Sequence, residues 1–185
     1  DAEALHAVAR EDAEARVRRA AVTRIDDVGL LAEGARTDPD EEVRAEAVRG
    51  LAGIGAEADE ASQAIEAVRQ LLALGRTKEL VLVARDTSSA DVRAAIVDLL
   101  EDQKALAAIS RHARDGATRL RALARLGDAD EILAVALKAE HTDAAVAALE
   151  RVAAAAALQA VAQRARAGNQ LQRRVRHFLR IGLRG

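Results

Sequence analysis

The chain has 185 residues, half of them apolar, with 28 basic and 30 acidic side chains and a formal net charge of −2 at pH 7. It has no Cys, which excludes disulfide and thiolate chemistry, and its single Pro and scattered Gly argue against an all-β fold with many turns. Its only aromatic residue is Phe178, so the apolar volume comes from Ala, Leu, Val and a few Ile, a composition suited to closely approaching helices.

Read in chain order, the sequence is a short unit copied several times. The segment VRRAAVTRI (17–25) returns as VRAEAVRGL (43–51), 26 residues on. VRAAIVDLL (92–100), TRLRALARL (118–126) and AAVAALERV (144–152) follow at the same interval of 26. The segments between them keep step. Leu5, Leu31, Leu80, Leu106, Ile132 and Leu158 hold one position. Val8, Gly34, Val83, Ile109, Val135 and Val161 sit three residues later, each followed by a small residue such as Ala35, Ala84 or Ser110. Apolar residues three and four apart share a helix face, so each unit predicts a first helix A of about nine residues and a second helix B. The small residue predicts close backbone approach.

Asp38-Pro39-Asp40, Ser88-Ser89, Asp115-Gly116 and Thr142-Asp143 lie between A and B, and Asp26-Asp27, Glu101-Asp102 and Gly127-Asp128 open the next A. Asp, Ser and Thr accept hydrogen bonds from the first free amides of a helix, and Pro suits its start. Helices this short are marginal alone, so stability is expected from stacking between units.

Two places break the rhythm. Val43 to Val92 is 49 residues, or 26 plus 23, which predicts an irregular unit at 52–74 with a weak first helix near Ile54 to Ala58 and a kink or change of pitch. Val152 to Ile181 is 29 residues, which predicts a longer inter-helix loop around Ala167-Gly168-Asn169. In the last unit Val175, Phe178, Leu179 and Ile181 to Leu183 are expected to face inward, with the neighbouring Arg outward.

Charge is unevenly spread. Residues 1–60 carry 16 acids and 8 bases, residues 61–185 carry 14 acids and 20 bases, and after Glu150 there are eight Arg and no acid. No apolar run reaches the roughly 18 residues of a spanning helix and no signal-peptide pattern opens the chain, so no membrane association and a cytoplasmic location are expected. The chain has no Met, and its first unit starts partway, without an Asp-rich lead-in, so it is expected to be a piece of a longer or processed polypeptide.

The unit, most clearly DPDEEVRAEAVRGL (38–51), resembles the HEAT-like repeats of bacterial proteins, including the phycobilisome-lyase-type variants. The resemblance spans 1–185 and implies an all-α fold, a right-handed α-solenoid of about seven two-helix repeats of about 26 residues, shorter than the ~40–47 residues usual for HEAT. Such units often pair an Asp in the turn with an Arg six residues later. Asp12 with Arg18 and Asp38 with Arg44 match; Arg93 and Arg119 persist where Thr87 and Ala113 replace the Asp, Ala139 and Ala145 lose both, and the partial ladder reads as structural stitching between repeats.

Chemistry-bearing constellations are missing from the sequence. His6, His112, His141 and His177 fall in no metal-ligand spacing, Gly50, Gly53 and Gly55 form no phosphate loop, and no Ser sits in a nucleophile elbow. Neither a cofactor nor an enzymatic activity is expected. The candidate partner- or anion-binding residues are Arg119, Arg121, Arg125 and Arg151 on the B helices with Arg173, Arg174, Arg176 and Arg180 at the basic end. In HEAT-like solenoids B helices line the concave surface, where these Arg would form a basic trough. Two functions compete: a scaffold binding another protein, and a nucleic-acid-binding module making salt-dependent phosphate contacts. An accessory lyase or chaperone-type role toward a chromophore protein rests on the repeat resemblance alone.

Overall fold

A computed structural model of the chain describes residues 2–182, the side chains of 161, 164, 165 and 167–182 excepted. The regular elements among these residues are all α-helical. In order they are α1 (Ala2–Glu11), α2 (Ala15–Val22), α3 (Val28–Thr37), α4 (Glu41–Glu57), α5 (Ala61–Ala73), α6 (Thr77–Asp86), α7 (Ala90–Leu99), α8 (Gln103–His112), α9 (Gly116–Arg125), α10 (Ala129–Lys138) and α11 (Thr142–Gly182).

The boundaries follow from capping. Asp27, Asp40, Ser89, Asp102, Asp115 and Asp128 each stand in extended conformation and accept from the free amides of the first turn that follows. Helices α3, α6, α8 and α10 end the same way: one extended residue, then two more before the next helix opens. The linkers hold little beyond their caps.

Side-chain burial has the expected period. Leu31, Leu80 and Leu106 are fully buried and Ile132 nearly so. The B-helix set is equally regular: Val43, Ala47, Val48 and Leu51 recur as Val92, Ile96, Val97 and Leu100, and as Thr118, Ala122, Leu123 and Leu126. Ala35, Ala84 and Ser110, the small residues, are buried where helices meet. One continuous core results.

Packing is serial. Helices α1 and α2, α3 and α4, α6 and α7, α8 and α9, and α10 and α11 pair with their sequence neighbours. Each helix also touches the one two places on, from α1 with α3 through α9 with α11. Odd-numbered helices therefore form one row and even-numbered helices the other.

The irregular unit differs from expectation. Ile54 does not begin a weak separate helix; it lies inside α4, which runs unbroken through Glu57. No Asp, Ser or Pro follows Leu51 to stop the helix, and the glycines there cost propensity without breaking it. A Cβ on Gly55 would come within 3.3 Å of Val83, so glycine at this point lets α4 approach α6. Helix α5 then packs on both α4 and α3, with Gln63 donating to the Asp26 carbonyl and Arg36 donating to the Gln70 side chain. It buries Ala64, Ala67, Val68 and Leu71, a spacing of i, i+3, i+4, i+7 that matches helix A. Its end is a Schellman turn: Gly75 takes φ +67°, its amide donates to the Leu72 carbonyl, and that of Arg76 donates to Leu71.

This odd helix has a topological consequence. Helix A of the first two units (α1, α3) lies in the odd row, whereas helix A of the later units (α6, α8, α10) lies in the even row. The two sequence types exchange rows at α5.

The end of the chain also departs from expectation. No loop occurs at Ala167-Gly168-Asn169; α11 is helical from Thr142 to Gly182. Earlier B helices stop at Leu100-Glu101-Asp102 and Leu126-Gly127-Asp128, but the corresponding residues are Val152-Ala153-Ala154, with no cap and an alanine-rich continuation. Leu158, placed by period in the core, is accordingly 71% exposed. The expected orientations of Val175, Phe178, Leu179 and Ile181 to Leu183 lie outside the described residues.

Candidate interaction surface

The Arg that is the fourth residue of α2, α4, α7 and α9 is the structural centre of its turn. Arg44 Nη1 donates to the carbonyls of Asp38 and Pro39 at 2.7 and 3.0 Å. Arg119 Nη1 does the same to Ala113 and Arg114, both at 2.8 Å. Arg18 reaches the Asp12 carbonyl and Arg93 the Thr87 carbonyl, each at 2.9 Å. The ladder expected of Asp12, Arg18, Asp38 and Arg44 links repeats through Arg18 and Asp38, while within a unit the acceptor six residues back is the backbone carbonyl and not the carboxylate. Thr87 and Ala113 therefore keep the backbone acceptor, though not the carboxylate that Asp38 offers to Arg18 of the preceding unit.

The remaining guanidinium nitrogens point forward, into the next unit. Arg18 Nε and Nη2 meet both oxygens of Asp38 at 2.8 Å, in a pair almost wholly buried. Arg119 holds Asp143 through Nε and Nη2, the shortest contact 2.6 Å. Arg93 donates to Thr118 Oγ1 at 3.1 Å, with Asp115 3.8 Å away. Bidentate arginine–carboxylate geometry makes the Arg18–Asp38 and Arg119–Asp143 links strong and oriented. The hydrogen bond from Arg18 holds the Asp38 carboxyl below the usual aspartate range, and that from Arg119 does the same for Asp143. Arg18, Arg93 and Arg119 each stitch their own turn and clamp the next, and Arg44 stitches its own turn.

The candidate B-helix arginines are placed as follows. Arg119 is buried and committed to Asp143 and two carbonyls. Arg121, half exposed, pairs with Asp98 at 2.6 and 3.0 Å and lowers the Asp98 pKa by hydrogen bonding. Arg125 donates to the Val97 carbonyl. Arg151 donates to the carbonyls of Leu123 and Leu126, the last turn of α9. Free carbonyls at a helix end attract cations, so Arg125 and Arg151 act as caps for the preceding B helix. All four lie in the odd row, on α9 and α11, each with donors used inside the chain. Arg173, Arg174, Arg176 and Arg180 have side chains outside the described residues.

The surface elsewhere is a mesh of opposite charges. Arg10 pairs with Glu33, Arg19 with Glu42 and Glu46, and Arg49 with Glu46. Sequence reasoning missed this mesh, although it left a signal. Arg10 to Glu33, Arg19 to Glu42 and Asp98 to Arg121 are all 23 apart, one repeat less roughly one helical turn. That offset places opposite charges on facing ridges of consecutive units.

His112 Nδ1 lies 2.9 Å from the Glu140 carboxylate across one turn. Among the described residues no three His, Asp or Glu side chains gather into a possible metal site, and no helix is long and apolar enough to cross a membrane. Compared with known proteins, the chain matches no family model, no curated protein and no solved structure.

Proposed function

We propose that this chain is a non-catalytic interaction scaffold, a right-handed HEAT-like α-solenoid that binds another protein along the outer faces of its helices. One observation carries the reading. Arg18, Arg44, Arg93 and Arg119 turn their donors inward onto the carbonyls of their own turns, and Arg18, Arg93 and Arg119 also reach side chains of the next unit. Serial contacts from each helix to the next two support the solenoid. An array built this way offers an extended surface whose outline is set by stacking, and such surfaces suit macromolecular partners.

Cross-linking in cells followed by mass spectrometry tests it. Protein cross-links to exposed residues of α1–α10 are expected, unchanged by nuclease treatment. Cross-links that vanish with nuclease would favour the competing nucleic-acid reading, for which the run of eight Arg after Glu150 speaks. In that case an electrophoretic shift at low salt should disappear in the triple variant Arg173→Ala/Arg174→Ala/Arg176→Ala. The internal commitments of Arg119, Arg121, Arg125 and Arg151 weigh toward the protein partner.

A further inference from the structure

The groove between α6 and α8, on the even row, has a mainly apolar lining. Its floor is Val81, Leu82, Ala105 and Ala108, and it encloses about 500 Å³. Leu82 is 49% exposed, while Leu80 and Val83 beside it on α6 are 2% or less. Helix α6 thus keeps one large apolar side chain for the outside. At the rim stand Lys78 and Lys104, one repeat of 26 residues apart. Among the described residues neither ammonium meets a carboxylate, whereas Arg19, Arg49, Arg85, Arg114 and Arg121 on neighbouring surfaces all do. Asp102 is the rim's one carboxylate, and it accepts from the amides of Lys104 and Ala105 at the start of α8. The groove between α2, α4 and α6 makes the contrast plain, since arginines and glutamates alternate there.

We propose that the α6–α8 groove is a docking site for an acidic amphipathic helix of a partner protein. The apolar floor takes a stripe of Leu or Ile at i, i+3, i+4 spacing. Glu or Asp on the flank of that stripe meets Lys78 and Lys104. A helix rather than an extended strand is the fitting occupant, because the floor carries no backbone or side-chain groups to satisfy a strand's amides and carbonyls, whereas a helix satisfies its own. Apolar burial supplies the affinity and the two exposed ammonium groups supply the sign preference. This inference rests on the scaffold reading and names where, and by what chemistry, such a partner is held.

The test is fluorescence anisotropy with a labelled amphipathic peptide of about four helical turns, Leu on one face and Glu beside it, against a twin carrying Lys for Glu. Saturable binding of the acidic peptide is expected, weakened roughly tenfold or more by Leu82→Asp. The double variant Lys78→Glu/Lys104→Glu should reverse the preference, binding the Lys twin better than the Glu peptide. All three positions are exposed, so circular dichroism should show each variant folded. No saturable binding up to about 1 mM peptide, equal binding of both twins, or binding to anionic lipid vesicles in place of the peptide would overturn the proposal. If the peptide fails while cellular protein cross-links map to other helices, the groove is wrong and the scaffold stands; if those cross-links are also missing, both fall.

Discussion

Arg18 and Asp38 form the most buried ion pair in the array, and the pair makes a specific demand on pH. Because the folded chain holds the Asp38 carboxyl below its unfolded value of about 3.9, the unfolded state binds a proton first as pH falls. The stability contributed by this pair is therefore present above that value and drains away as pH drops from it toward the lowered folded pKa. Denaturation measured across acid pH should show this loss, and Asp38→Asn should be less stable at neutral pH with a flatter acid limb. Ser110 makes the opposite case. Its hydroxyl is fully buried with no hydrogen-bond partner, and the equivalent residues Ala84 and Ala136 carry no hydroxyl at all. Ser110→Ala should raise stability by about 1 kcal/mol in urea unfolding, since it removes an unsatisfied polar group and gives up the packing of only one atom.

At the scale of elements, two glycines separate two kinds of helix. Gly75 ends α5 in a left-handed conformation, so Gly75→Ala should cost about 1 kcal/mol. Gly53 lies within α4 with open space where a Cβ would stand, so Gly53→Ala should gain about 0.5–1 kcal/mol by improving propensity alone. Thermal melts of the two variants should shift in opposite directions. The same contrast explains where helices stop. Every linker with an Asp or Ser cap was legible from sequence, because capping is a local exchange between one side chain and the next turn's amides. The absence of a cap was legible too, after Leu51 and after Val152, and it carries more weight than the repeat period. Periodicity places Ile54 and Leu158 at the start of new helices; without a side chain to end the old one, α4 and α11 run on.

Across the molecule, stability should be highest in the middle. Leu51, Leu71, Leu80, Ile96, Leu100 and Leu106 are fully buried, whereas Val8 near one end and Leu149 near the other are exposed, Leu149 by 60%. Amide hydrogen exchange should show protection rising from α1 to a plateau over α4–α9 and falling toward α11. Leu106→Ala, within that plateau, should cost roughly 2–5 kcal/mol, against no more than about 0.5 kcal/mol for the exposed Lys138→Ala. Equal effects at the two positions would contradict the register on which the serial packing depends.

The amino-acid sequence by itself determined the 26-residue interval, the capped helix starts and the core side chains of the regular units, since these depend on neighbours within a turn or two of chain, but not the extents of α4 and α11. It also marked Arg18, Arg44, Arg93 and Arg119 as a series. Its stitching role was legible, but which groups it stitches was decided only by tertiary structure, because a guanidinium offers several donors and spacing cannot tell a carbonyl from a carboxylate as the acceptor. The row exchange at α5 was likewise invisible in the pattern, which records what a helix buries and not which neighbour buries it. For the same reason Arg119, Arg121, Arg125 and Arg151 read as a free basic surface in sequence. Packing the next unit against them turned those charges into links between one turn and another.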